Sequence, residues 1–91
     1  MKRYVIERVV PGVGDLTDRQ MAATVAKSNE ALAALDGKAQ WLQSYVTRDK
    51  TFCVYLAENE QAVEEHARLS GLPASKITEV HGIVDALTGQ E

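Results

Sequence analysis

The residues best suited to chemistry in this sequence are two histidines that have carboxylates close by. Glu79 and His81 lie two positions apart in a segment rich in β-branched residues. On a strand, positions i and i+2 face the same side about 7 Å apart, so this pair can share one ion or line one pocket. Imidazole and carboxylate together suit a borderline divalent ion. The alternative is a pair that hydrogen-bonds at the surface or in an interface.

His66 is the second candidate, and it follows two glutamates on a predicted helix. Adjacent helix residues point in different directions, so Glu65 and His66 need a further strand or subunit to complete a metal site. A structural histidine, hydrogen-bonded near the sheet edge, is the alternative. Glu7 on the first predicted strand is expected near Glu79 and His81. The candidate metal ligands are therefore His81, Glu79, His66 and Glu7.

The stretch 41–66 also holds the only Trp, the only Cys and two of the three Tyr. Aromatic side chains with a polar end are favoured in interfaces and ligand pockets. A free Cys is a soft metal ligand when ionised, but is commonly a small buried apolar residue. We predict that the wall of a ligand pocket or an interface contains Trp41, Tyr45, Cys53 and Tyr55.

Composition excludes several classes of function. The 91 residues predict a single domain, 1–91, whose tail is expected to fray from about residue 86. A net charge of -3, with scattered basic residues, argues against a nucleic-acid partner. One Cys cannot form an internal disulfide and fits a reducing, cytoplasmic location, and no segment resembles a membrane span. Ser-His-Asp, CxxC and HExxH patterns are absent, which weighs against an enzyme of those classes.

Hydrophobic periodicity and turn residues predict four strands and two helices. Thr17 and Gln20 have capping-box spacing, Asn59 is a good N-cap, and Gly37 and Gly71 can end helices. The predicted elements are strands at 2–10, 39–47, 51–57 and 76–85, with helices at about 17–35 and 59–71. The order β-α-β-β-α-β indicates an α+β, ferredoxin-like fold: a four-stranded antiparallel sheet with both helices on one face. Right-handed crossovers then place the first and third strands in the centre.

The face of this sheet away from the helices, here called the open face, needs a cover. A hairpin turn centred on Asp49 would pair Val46 with Val54 and Tyr45 with Tyr55. This register assigns to the core Leu42, Val46, Phe52, Val54 and Leu56. It assigns to the open face Val5, Glu7, Trp41, Tyr45, Cys53, Tyr55, Ile77, Glu79, His81 and Ile83. Such a patch exceeds what soluble monomers usually expose, so we predict a homodimer packed sheet to sheet.

Most of the chain resembles a known family. The resemblance is carried by YVIER, PGVGDLT and QWLQSYVTRDKTFCVYLAENEQAVEEHARLSGLPASKITEV. The sequence is similar to a family of small bacterial proteins of largely unknown function, which includes a nickel-binding, nickel-responsive ferredoxin-like protein that forms a dimer. It departs from the family's usual residues at Arg48, Glu64 and Ala86. The resemblance implies a ferredoxin-like dimer that binds a divalent metal, nickel being the named case, with no established reaction.

Two functions follow as hypotheses. The first is a nickel or other divalent-metal binding protein, acting in sequestration or buffering as a sheet-to-sheet homodimer. The second is a cofactor-free dimeric α+β barrel enzyme or small-ligand binder. It would use the aromatic open face, with His81, Glu7 or Glu79 as acid and base. A structural or partner-binding module is a third interpretation.

Overall fold

A computed structural model describes residues 1–90 and confirms the ferredoxin-like α+β fold. The strands form one antiparallel sheet in the order β2-β3-β1-β4, with β1 and β3 in the centre as predicted. The elements are β1 (Lys2–Val9), α1 (Asp18–Ala34), β2 (Ala39–Val46), β3 (Lys50–Ala57), α2 (Glu60–Ser70) and β4 (Lys76–Val80), with short 3-10 turns at Val13–Asp15 and Ala86–Gly89.

Both helices begin and end where the local sequence predicts. The Thr17 hydroxyl accepts a hydrogen bond from the Gln20 amide, and the Gln20 side chain accepts one from the Thr17 amide. This reciprocal capping box satisfies amide groups at the start of α1. The Asn59 side chain caps α2 through the Ala62 amide, and Gly71 ends it with φ 73. Across residues 1–90, no helix combines the length and the apolar character that a membrane crossing requires.

The predicted register of the β2–β3 hairpin is wrong by three residues. Tyr45 lies opposite Phe52, not opposite Tyr55. The turn is tighter than expected because Thr47 closes it twice: its amide donates to the Lys50 carbonyl at 2.8 Å, and its hydroxyl accepts from the Lys50 amide at 3.1 Å. A shift by an odd number exchanges the two faces of a strand. Cys53 therefore faces the helices.

The core and the open face are corrected accordingly. Of the residues predicted for the core, Val46 lies on the predicted helix side but is exposed. Leu42 is also exposed, while Phe52, Val54 and Leu56 are half-buried on the open face. The residues that pack between sheet and helices are Tyr4, Ile6, Leu35, Ala39, Cys53, Tyr55, Ala57, Ala62 and Val63. The open face carries Val5, Glu7, Gln43, Tyr45, Phe52, Val54, Leu56, Thr78 and Val80.

An irregularity in β2 separates Trp41 from Tyr45. The pairing shifts by one residue between Trp41 and Gln43, with Leu42 as the extra residue of a β-bulge. Trp41 and Ser44 consequently face the same side, and the indole Nε1 donates to the Ser44 hydroxyl at 2.9 Å. The bulge is why Trp41 packs against the core on the helix side, whereas Tyr45 keeps its predicted place on the open face.

The last strand is shorter than predicted. β4 ends at Val80, and residues 81–90, here called the tail, are all exposed. Ile77 pairs with Ile6 and Glu79 with Tyr4, so both lie on the helix side and not on the open face. The sequence predicts fraying of the tail from about residue 86. Within that segment Ala86–Gly89 form a 3-10 turn, and Glu91 lies outside the described residues.

Gly14 allows the loop after β1 to meet the hairpin turn. Its amide donates to the Arg48 carbonyl at 2.9 Å, and a Cβ at this position would lie 2.7 Å from the Thr47 carbonyl oxygen. The neighbouring Gly12 amide donates to the Asp49 carboxylate. We expect Gly14→Ala to lower the free energy of unfolding by about 1–3 kcal/mol, because backbone on both sides must move. Urea denaturation checks this, with Gly82→Ala as the control, since a Cβ at Gly82 meets nothing.

Candidate functional site

A buried polar cluster lies between the sheet and the helices, formed by Arg8, Ser28, Tyr55 and His66. Arg8 shares the helix-facing side of β1 with Tyr4 and Ile6 and is 2% exposed, while His66 on α2 is 0% exposed. The Arg8 Nη1 donates to the Pro73 carbonyl at 2.8 Å. Its Nη2 lies 3.5 Å from the His66 Nδ1.

The partners of His66 define its protonation. A guanidinium can only donate, so we infer that the His66 Nδ1 accepts from Arg8 and that Nε2 carries the proton. That Nε2 lies 3.3 Å from the Ser28 carbonyl and 3.1 Å from the Ser28 hydroxyl. Burial, and then the charge of Arg8, lower the pKa of His66 below its usual 6.5. The imidazole is therefore neutral at pH 7, and both ring nitrogens face protein groups.

Tyr55 completes the cluster from β3. Its ring lies 5.1 Å from the His66 ring, and the Arg8 Cζ lies 5.9 Å from the ring centroid. Burial raises the pKa of Tyr55 above 10.0, against the opposing effects of Ser28 and of the Arg8 charge. The phenol is thus protonated at neutral pH and can serve as a hydrogen-bond donor.

A cavity of about 440 Å³ adjoins this cluster, between α1 and the sheet. α1 contributes Met21, Thr24 and Val25, which are only partly buried. The N-terminal half of α1 therefore stands off the sheet there. The walls are mainly apolar and also contain Arg8, Ser28, Trp41, Ser44, Thr51, Cys53, Tyr55 and Leu72.

The second notable region is the pair predicted on β4. The His81 Nε2 lies 3.5 Å from a Glu79 carboxylate oxygen, and the other oxygen lies 3.7 Å from the Lys2 ammonium. The His81 side chain is 86% exposed. Glu79 also borders a cavity of about 250 Å³ beside the N-terminus of α2. The pair thus combines an imidazole with a carboxylate at an accessible sheet edge.

The four predicted metal ligands are not brought together in one chain. Glu79 and His81 are adjacent, but Glu7 lies on the open face with an oxygen 4.0 Å from the Lys50 ammonium. His66 is enclosed in the polar cluster. Within residues 1–90, no group of three or more His, Cys, Asp and Glu side chains is placed to hold one ion. A metal role for these residues stays a prediction.

Three of the four residues predicted for a pocket or interface line the cavity on the helix side. These are Trp41, Cys53 and Tyr55. The prediction that these three residues lie on the open face is wrong. Tyr45 alone of the four lies on the open face, 61% exposed. Sequence reasoning missed Arg8 and Ser28 as members of a site. The available signals were an arginine in phase with Tyr4 and Ile6 on the first strand, and a serine at helical spacing from apolar residues on α1, which are Met21, Val25 and Leu32.

The open face and the tail both present apolar side chains without cover from residues 1–90. Phe52, Val54 and Leu56 are only half-buried on the open face. In the tail, Ile83, Val84 and Leu87 are 70–80% exposed. Apolar surface in two separate regions of one small chain is typical of an interaction surface.

Fold and sites together define a small α+β domain with a ferredoxin-like sheet, a buried polar cluster and an accessible His–Glu pair. The family model described as "Nickel responsive protein SCO4226-like" matches residues 4–80. The chain belongs to this SCO4226-like family of nickel-responsive proteins, which confirms the resemblance seen in the sequence.

A solved structure supports the fold. The crystal structure of SCO4226 from Streptomyces coelicolor A3(2) is similar with a TM-score of 0.73 at 17% sequence identity. The similarity covers 90% of this chain and 99% of that one. A comparison with curated proteins found no match.

Proposed function

We propose that this protein binds nickel or a similar divalent transition metal, as a homodimer that sequesters or buffers the ion. The observation that carries the proposal is the contact between the His81 Nε2 and the Glu79 carboxylate at 3.5 Å. Membership of a nickel-responsive family supports the choice of nickel. The cytoplasmic location expected from the single Cys belongs to the same proposal.

The donors fit the ion by type, whereas their number requires a second chain. Imidazole nitrogen and carboxylate oxygen are ligands that nickel accepts, and the exposure of His81 lets an ion reach it. One chain offers two such donors here, and residues 1–90 add no third His, Cys, Asp or Glu beside them. We therefore assign to a second copy of the chain the task of completing the site.

The homodimer is supported by the two uncovered apolar regions. Four strands about 4.8 Å apart and up to eight residues long give the open face a planar footprint on the order of 500 Å². The accessible area of a side-chain surface exceeds its planar footprint, so this face is of the size that supplies the roughly 800 Å² each partner buries in a typical stable interface. The tail adds Ile83, Val84 and Leu87 to the apolar surface. In this arrangement the open faces pack together, and each tail lies against the partner. Because His81 begins the tail, the same contact carries it towards the second chain.

The second hypothesis, an enzyme or ligand binder acting on the open face, loses its main support. It required Trp41, Tyr45 and Tyr55 on that face, but Trp41 and Tyr55 line the cavity on the opposite side. Its acid–base candidates are also separated, since Glu7 and Glu79 lie on different faces of the sheet. The metal hypothesis loses Glu7 for the same reason but keeps the contact between His81 and Glu79.

Titration calorimetry of the tag-free protein with Ni²⁺ tests the metal site. We expect saturable binding, and we expect His81→Ala and Glu79→Gln each to weaken it by about a hundredfold or more, because loss of outer-shell partners alone costs roughly 10- to 100-fold. Glu64→Gln is the matched control, an exposed carboxylate on α2. Absence of binding heat contradicts the proposal, and so does wild-type affinity in His81→Ala.

A further inference from the structure

Arg8 is a buried cation for which residues 1–90 provide no anionic partner. It is 2% exposed. Lys2, Lys50 and Arg68 each form an ion pair with a glutamate, but no carboxylate of residues 1–90 lies within ion-pair distance of Arg8. Arginine is almost never fully buried unless it is paired. The contacts of Arg8 are the Leu72 and Pro73 carbonyls, the neutral His66 ring and the Tyr55 ring.

Part of the guanidinium is also without a hydrogen bond. The Arg8 Nε is buried and has no acceptor within the described chain. A buried donor left unsatisfied costs about 1–3 kcal/mol, and more when the group is charged. The protein therefore keeps both an unneutralised charge and an unused donor at one place.

Arg8 lies in the wall of the 440 Å³ cavity. The lining contains Arg8 as its charged residue and no Asp, Glu or Lys, although the whole chain carries a net charge of -3. The other walls are mainly apolar, with hydroxyl groups at Ser28, Thr51 and Tyr55. An apolar enclosure with a few convergent polar groups is the usual form of a small-molecule site.

We propose that this cavity binds a small monocarboxylic acid with an apolar body, its carboxylate directed to Arg8. The carboxylate supplies the missing charge and an acceptor for the guanidinium, which recognises carboxylates with paired donors. The apolar body occupies the space beside Met21, Val25 and Trp41. A chain of about eight carbons, each with roughly the 30 Å³ share of a water molecule, needs on the order of 250 Å³ and fits.

This site is separate from the proposed metal site. The cavity lies over β2, β3 and the Arg8 end of β1, whereas Glu79 lies on the edge strand β4, opposite Tyr4 towards the other end of β1. Failure of nickel binding would therefore leave the cavity proposal intact, and the reverse is also true.

Trp41 provides the measurement, because it is the only Trp of the chain and it lines the cavity. We expect octanoate to change the Trp41 fluorescence in a saturable way. Octan-1-ol, which has the same chain but no charge, should bind at least about tenfold more weakly, as expected for loss of a charge-assisted hydrogen bond. This comparison uses the wild-type protein alone.

Two substitutions test the charge of Arg8 and the volume of the cavity separately. Arg8→Met should remove the preference for the acid over the alcohol. Val25→Phe should weaken both ligands at least about tenfold by filling the cavity, while Ala26→Phe, at the adjacent exposed position of α1, should leave both unchanged. Circular dichroism verifies that each variant is folded.

The alternative role for Arg8 is a structural brace that ties β1 to the loop before β4. Under that role Arg8→Met lowers stability, but the wild-type protein shows no preference for the acid. Equal binding of octanoate and octan-1-ol, or no saturable change in Trp41 fluorescence at millimolar octanoate, overturns the proposal. If Arg8→Met fails to fold, the wild-type comparison and Val25→Phe still decide it.

Discussion

Replacing Val54 with Asp should leave the chain folded and convert the proposed dimer into a monomer. Val54 lies on central strand β3 and points to the open face. In an isolated chain its new carboxylate would face water, so the expected cost to folding is about 1 kcal/mol, the span of strand preferences. In a sheet-to-sheet dimer the same carboxylates would be buried and unpaired, which costs several kcal/mol. Light scattering should give the mass of two chains for the wild type and one for Val54→Asp.

The same substitution three residues further along β3 should have the opposite result. Ala57 is 0% exposed and packs among the core residues, away from the cavity that contains Arg8. A carboxylate enclosed there costs several kcal/mol, a large part of the roughly 5–14 kcal/mol that stabilises a domain of this size. Ala57→Asp should therefore unfold at 25 °C or lose most of its stability, as followed by circular dichroism. Ala57→Ser is the control for a polar side chain without a charge. A folded Ala57→Asp beside an unfolded Val54→Asp would show that the strand faces are reversed.

Acidification should destabilise the protein through His66. The folded-state pKa of His66 is lowered, chiefly by burial and then by Arg8. Below about pH 6.5, His66 is protonated in the unfolded chain but stays neutral in the folded chain until the pH approaches its lower folded-state pKa. The stabilising effect is therefore complete above pH 6.5 and is lost as the pH falls from there towards the folded-state pKa. The expected slope is up to about 1.4 kcal/mol for each pH unit.

Urea denaturation between pH 7.5 and 5 measures this slope. His81→Gln is the matched control, because it replaces the other histidine of the chain, whose side chain is exposed. His66→Gln should lose the His66 part of the slope and also some stability at pH 7.5. Carboxylate groups add their own pH dependence to every variant, so the difference between the two variants isolates His66. A normal pKa for the buried imidazole in an NMR titration would contradict the prediction.

The sequence was sufficient for the fold but not for the faces of the hairpin. Helix caps such as Thr17 with Gln20 are local, and strand order follows from connection handedness, so both could be predicted. The register depended on hydrogen bonds of Thr47 that shorten the turn by three residues. That single error exchanged Cys53 and Tyr55 with Phe52 and Val54. Alternation by itself could not correct it, because both faces of β3 are apolar.

The polar cluster could not be predicted for a different reason. Arg8, Ser28 and His66 come from three different elements, and each residue is at least 20 positions from the next. No spacing rule joins such residues, although a charged side chain in phase with Tyr4 and Ile6 was a visible irregularity. The His81–Glu79 proximity, by contrast, follows from a spacing of two and was predictable.

The extra residue at Leu42 has a consequence for the evolution of this chain. The hairpin turn sets which sheet face each residue between the bulge and the turn points to. For residues before the bulge, the extra residue reverses that assignment. Loss of one codon at this position would rotate the indole of Trp41 out of the cavity and onto the open face. An alignment gap at position 42 in a relative would therefore mark a chain with a differently built cavity wall, even if every residue around it were identical.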